Sequence, residues 1–141
     1  KGQYPFKPFE AHADYKVHPL NPKLLSLTMD LYKFTGGAHG FTVRETFNYD
    51  IKTGKKLGYR DIFKNCPNYR RVIIQHITDK IKKNPDKYFD DAVEKVKQIT
   101  DDQPFYITDT GIVVIFGLYE LAPYVSGIQE FFIPYSAFKC S

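Results

Sequence analysis

The chain has no tryptophan, a single methionine and only two cysteines. Two cysteines are too few for a disulfide framework, and Cys66 and Cys140 are not spaced as a metal site. A pair so far apart can still tie the chain end to the body. Bridging needs Cα atoms within about 7 Å, which sequence does not determine, so bridged and free thiols both stay open. Long apolar runs are also missing. The longest, Ile112 to Leu118 with Gly117 inside it, has seven residues, against roughly 20 for a bilayer span. No signal peptide is present and the first residue is Lys1 rather than Met, so the chain reads as a mature or trimmed piece.

Common catalytic patterns are scarce. Of Ser26, Ser126, Ser136 and Ser141, none sits in Gly-x-Ser-x-Gly, and Ser126 lacks the first glycine. His12, His18, His39 and His76 are scattered, without His-Glu-x-x-His or Cys-x-x-Cys, so neither metal nor cofactor is expected. Cys66 and His76 lie on no recognisable thiol–base scaffold. Charge excludes little by itself: 20 basic and 16 acidic residues leave a net +4. They are interleaved, and Lys80, Lys82, Lys83 and Lys87 stand beside Asp79 and Asp86, as on a solvated helix face. A nucleic-acid partner is not expected.

What is plentiful is aromatic: 11 Tyr and 12 Phe in 141 residues, a length suited to one domain. Residues 1–14 read as an extended N-terminal arm, with an extended segment over His12–Leu20, and 15–141 as a single domain. Leu25, Leu27, Met29 and Leu31 alternate with Ser26, Thr28, Asp30 and Tyr32, predicting a half-buried strand. A Gly-rich connection, Thr35 to Gly40, leads into a second alternating segment, Phe41 to Ile51, so the two form a hairpin. Asn68 is placed to cap a helix carrying Ile73, Ile77 and Ile81. A second helical stripe starts near Asp86 and runs through Phe89, Ala92, Val93, Val96 and Ile99. Phe105–Ile107, Ile112–Phe116 and Gln129–Tyr135 are strands again. The pattern is α+β: an antiparallel sheet with two helices packed on one face.

Most of the rings belong in a core without Trp, but Tyr119, Tyr124 and His39 sit in loops. A Tyr joins an apolar face to a hydroxyl, which suits sugar stacking and protein interfaces alike. His39 lies in a glycine loop where backbone can approach a ligand closely. That loop is no phosphate cradle, because it joins two strands and lacks a Lys-Ser/Thr ending. Glu120 and Glu130 flank the Tyr124 loop, and paired carboxylates are the machinery of glycosidases. A glycan-active hydrolase using Glu120 or Glu130 with His39 is therefore the alternative to a binding role.

Two signatures carry a resemblance. Gly36-Gly37-Ala38-His39-Gly40 follows the Leu25–Phe34 strand, and Tyr119-Glu120-Leu121-Ala122-Pro123-Tyr124-Val125-Ser126-Gly127 precedes the last one. With the segments around them, roughly Tyr15 to Lys139, they resemble an extracytoplasmic bacterial domain. That domain occurs in lysozyme-sensing anti-sigma factors and as an accessory domain of peptidoglycan deacetylases. The resemblance implies a non-catalytic α+β module outside the cytoplasmic membrane, secreted or anchored, mainly of Gram-positive type. Its implied partner is cell-wall glycan or an envelope-directed protein such as lysozyme. Family members carry a helix and strand upstream of Tyr15 that this chain does not show, which implies an open sheet edge able to pair with another chain. The residues carried over are Gly36, Gly37, His39, Gly40, Tyr119, Glu120, Pro123, Tyr124 and Gly127. Both loops are expected at one end of the sheet, forming one surface.

Overall fold

The computed structural model describes residues 9–18 and 22–140. Six strands form two antiparallel sheets of three. The first has the order β1-β2-β3, with β1 at Glu10–His18, β2 at Leu24–Phe34 and β3 at Phe41–Asp50. The second has the order β4-β5-β6, with β4 at Phe105–Ile107, β5 at Gly111–Phe116 and β6 at Gln129–Pro134. Between the sheets in sequence come α1 (Tyr59–Ile62), α2 (Tyr69–Lys83) and α3 (Ala92–Lys97). The fold is α+β, its strands divided between two sheets.

The core lies between the helices and one face of the second sheet. Ile73, Ile77 and Ile81 of α2 and Val96 of α3 pack with Ile112, Val114 and Phe116 of β5 and with Phe131 and Ile133 of β6. Each such side chain, fully buried, contributes about 1.5–3 kcal/mol. β5 is buried along its whole length, as a central strand covered on both faces must be. Gly111 opens it because no side chain fits: a Cβ there would stand 2.3 Å from the carbonyl oxygen of Ile133.

The first sheet turns its polar face to the second. Alternation alone would send Leu25, Leu27, Met29 and Leu31 inward, yet Ser26 and Thr28 are the buried residues of β2, and Leu25 and Leu31 are exposed. The reason is the outer edge of β4. Ile107 N–H donates to Ser26 Oγ at 2.9 Å, and Asn48 Nδ2 donates to the Phe105 carbonyl at 2.8 Å. Ser26 and Asn48 are register partners across β2 and β3, and the Ser26 hydroxyl donates to Asn48 Oδ1 at 2.6 Å. A buried strand edge needs its amides and carbonyls satisfied, and these two short polar side chains supply the partners.

Three other boundaries differ from expectation. β1 begins at Glu10, inside the stretch read as an arm, while residues 1–8 and 19–21 lie outside the described residues. The second helix is only Ala92–Lys97, preceded by a 3-10 turn at Pro85–Lys87. Phe89 N–H is drawn instead to the Leu121 carbonyl at 2.8 Å, which withdraws that backbone from a helical ladder. β6 stops at Pro134, and Tyr135 starts a 3-10 turn. Cys66 and Cys140 are bonded, with Cα atoms 4.6 Å apart, and tie the chain end to the loop before α2. No helix among the described residues is long and apolar enough to cross a membrane.

Candidate functional site

The β2–β3 connection and the loop between β5 and β6 meet. Gly36 and Gly37 take positive φ (85° and 152°), which lets the connection swing past the strand ends and carry His39 outward. Gly40 returns the chain to β3 so close to Tyr32 that a Cβ would lie 2.3 Å from its ring. From the other side, Tyr124 donates its hydroxyl to the Gly40 carbonyl at 2.8 Å. Its ring stacks on His39 with centroids 3.8 Å apart and planes at 27°. His39 Nε2 hydrogen-bonds the Tyr119 hydroxyl at 3.0 Å, and the Tyr119 and Tyr124 rings stand 5.6 Å apart. His39, Tyr119 and Tyr124 are thus one aromatic cluster, assembled from loops about 80 residues apart in the chain.

The second loop is held by several devices. Pro123, at φ −60° and ψ 157°, enters a 3-10 turn over Tyr124–Ser126, and Gly127 leaves it at φ 74°. The buried Gln129 side chain donates to the carbonyls of Ser126 and Gly127 at 3.0 and 3.2 Å. Lys95 Nζ donates to the Glu120 carbonyl at 3.0 Å. Tyr119 has φ 65° and is the sole non-glycine residue at positive φ among those described. Such a backbone costs a side-chain-bearing residue about 1–2 kcal/mol. Here it aims the Tyr119 hydroxyl at His39 while the side chain stays 46% exposed. The Glu120 side chain is exposed at the rim, 3.1 Å from where a Cβ on Gly117 would stand.

Glu130 belongs to a different arrangement. Arg44 Nη1 donates to its Oε1 at 2.7 Å and the Tyr106 hydroxyl to its Oε2 at 3.2 Å. Arg44 also makes two bonds to Asp30, at 2.7 and 2.8 Å. The guanidinium holds the Asp30 carboxyl below its ordinary range, and burial, seconded by Glu130, pushes the Tyr106 hydroxyl up to about 12. His18 stacks on Tyr106 at 3.8 Å, and its Nε2 meets Thr28 Oγ1 at 3.1 Å. This network ties the first sheet to β6. Both oxygens of Glu130 are engaged there, and among the described residues no hydrogen bond or ion pair joins Glu120 or Glu130 to His39. No group of three or more His, Cys, Asp and Glu suited to a metal ion occurs among the described residues.

Some residues of this surface went unmarked by sequence. Val125 is 90% exposed at the loop tip beside Tyr124. An apolar residue in a Pro–Gly bend was the one signal for it. Phe9, 72% exposed, lies 4.0 Å from the Cβ position of Gly36. Gln129 had no signal, because its role depends on a loop folding back over its own strand.

Two family models match the chain: residues 60–136 match a protein of unknown function (DUF3298), and residues 1–42 match deacetylase PdaC. The chain is 32% identical over 133 residues to the peptidoglycan-N-acetylmuramic acid deacetylase PdaC of Bacillus subtilis, covering 92% of this chain and 28% of that protein. It is 34% identical over 131 residues to the anti-sigma-V factor RsiV of the same organism, covering 87% of this chain and 45% of that protein. The chain therefore spans less than half the length of either relative. A DUF3298 family protein from Pseudomonas aeruginosa superposes with a TM-score of 0.71 at 23% identity, over 93% of this chain and 62% of that one. A DUF3298 member from Bacteroides fragilis gives 0.68 at 20% identity, over 91% and 52%. Both share the fold.

Proposed function

The chain belongs to the DUF3298 family, and from that premise we propose that it is a non-catalytic, extracytoplasmic recognition domain whose contact surface is the His39–Tyr119–Tyr124 cluster. The proposed ligand is cell-wall glycan. The observation that carries the reading is the cluster itself: an exposed ring on a strained backbone with a rim carboxylate, on a loop fastened from several sides, and an imidazole stacked on it from the β2–β3 connection. Rings with hydroxyls at their edges offer a sugar both an apolar face and hydrogen bonds. A fastened surface loses little conformational entropy when it binds. The chain is similar to the deacetylase and to the anti-sigma factor; the first bears a peptidoglycan substrate in its name, and this chain's two loop signatures resemble a domain of lysozyme-sensing anti-sigma factors. An envelope-directed protein such as lysozyme is the second ligand class. The net charge of +4 gives no electrostatic steering toward a basic partner, which favours glycan.

The hydrolase alternative has less support. Glu130 is committed to Arg44 and Tyr106, so a carboxylate pair would have to form without it.

The test is an NMR titration of the labelled chain with soluble peptidoglycan fragments, repeated with lysozyme. Amide shifts are expected at His39, Tyr119, Tyr124 and Val125 with fragment. Tyr119→Ala should weaken that binding between about two- and tenfold, the worth of one stacked ring. Shifts of these residues with lysozyme alone would move the ligand to the protein class. Fragment turnover abolished by Glu120→Gln would establish the hydrolase. Silence with both ligands would sink the reading.

A further inference from the structure

We propose that the cavity beside Tyr119 is a subsite for the acetamido group of an N-acetylated sugar, an inference that rests on the glycan reading above. The cavity has a volume of about 470 Å³, inside the roughly 300–1,000 Å³ of small-ligand sites. It lies between the C-terminal end of α3, the turn that follows and the chain leaving β5. Tyr119 is shared between two places: its ring lines the cavity, while its hydroxyl bonds His39 in the aromatic cluster. The contact surface therefore continues past the ring into a walled depression. Its walls are fastened. Gln103 Nε2 donates to the Ile115 carbonyl at 2.5 Å, and Ile115 N–H donates to the Pro104 carbonyl at 2.9 Å. A cavity held in this way needs little ordering when it binds.

The chemistry of the lining selects that group. Its floor is apolar, with Ile99 and Phe116 buried and Leu118 half-buried. Two polar side chains of the lining, the Gln98 carboxamide and the Glu120 carboxylate, have no hydrogen-bond or ion-pair partner among the described residues. The lining's one cation, Lys95, is already engaged. Besides the Glu120 carbonyl it meets the Asp91 carboxylate at 3.5 Å and lies over the Phe89 ring, 5.6 Å from its centroid. An anionic ligand thus finds no free counter-charge. An acetamido group has three parts, and each meets one feature of the cavity. Its methyl lies on the apolar floor, its N–H donates to Glu120 and its carbonyl accepts from Gln98. An ammonium would also pair with Glu120, but it would lose its water against Ile99 and Phe116. A sugar hydroxyl would reach the carboxylate and leave the floor empty.

The test is an NMR titration of the labelled chain with three soluble trisaccharides that differ at one substituent: chitotriose, its fully deacetylated form and cellotriose. Chitotriose should shift the amides of Gln98, Ile99, Leu118 and Tyr119. It should bind at least about tenfold more tightly than cellotriose, the worth of one buried methyl and one hydrogen bond. Gln98 is exposed, so its replacement leaves the core intact. Gln98→Ala should weaken chitotriose binding about three- to tenfold and so narrow its advantage over cellotriose. Equal affinity for the three sugars overturns the proposal, as do shifts confined to His39 and Tyr124. Either result leaves the aromatic cluster as a glycan surface. Tighter binding of the deacetylated sugar overturns it too, and makes Glu120 an ammonium site. If no trisaccharide binds, the acetamido subsite falls, and the peptidoglycan-fragment titration then decides whether the glycan reading falls with it.

Discussion

Tyr119 shows how a single residue can be placed against its own preference. Most side chains avoid φ near 65° because Cβ approaches the following carbonyl, and glycine alone is indifferent. Here the conformation is held by the fold around it, with the hydroxyl bonded to His39 and the next carbonyl held by Lys95. A test separates the backbone's demand from the ring's role. Tyr119→Gly should be more stable in urea than Tyr119→Ala by about 1 kcal/mol, since glycine releases the strain that alanine keeps. Both variants should weaken fragment binding alike, by about two- to tenfold. Equal stability of the two would mean that the positive φ relaxes once the ring is gone.

At the scale of an element, β2 inverts the usual reading of an alternating strand. Its period was legible in the sequence, and so was its pairing with β3 through a glycine connection. Which face is buried was not. Leu25 and Leu31 are each 36% exposed, while Ser26 is fully buried. The physical reason is that the face must satisfy the backbone of β4, a task for Ser26 and Asn48 that no leucine can do. Stability should follow the structure rather than hydrophobicity. Ser26→Ala leaves Ile107 N–H buried without a partner and should cost about 1–3 kcal/mol. Leu25→Ala, on the exposed face, should cost less than about 1 kcal/mol. Chemical denaturation of the two variants checks the order, and a reversed order would place the leucine face inward.

For the whole molecule, the Cys66–Cys140 bond closes a loop with a sequence separation of 74 residues. Restricting the unfolded chain over such a span is worth about 4 kcal/mol in the chain-entropy account. Cys140→Ser should lower unfolding stability by that order, and a reducing agent should do the same to the wild type, with little change in the folded state. Denaturation midpoints with and without reductant measure it directly. A loss well under about 1 kcal/mol would mean that the unfolded chain is already restricted without the bond. The bond also anchors the chain end beside the helices, on the core that carries the second sheet, whereas the first sheet is attached through the polar contacts of Arg44, Asn48 and Ser26.

Sequence by itself determined the class of the molecule: strands, helices and strands again, with hydrophobic periods and turn residues that depend only on neighbours in the chain. It also marked the two loop signatures, since glycines, a bend proline and clustered rings are local features. Tertiary structure alone decided that the strands divide into two sheets and that the polar face of β2 is the buried one. It alone decided that Phe89 leaves the helix and that Cys66 reaches Cys140. The meeting of His39 with Tyr119 and Tyr124 is of the same kind. Each of these depends on groups far apart in the chain satisfying one another's hydrogen bonds or packing, and such satisfaction is a property of positions in space.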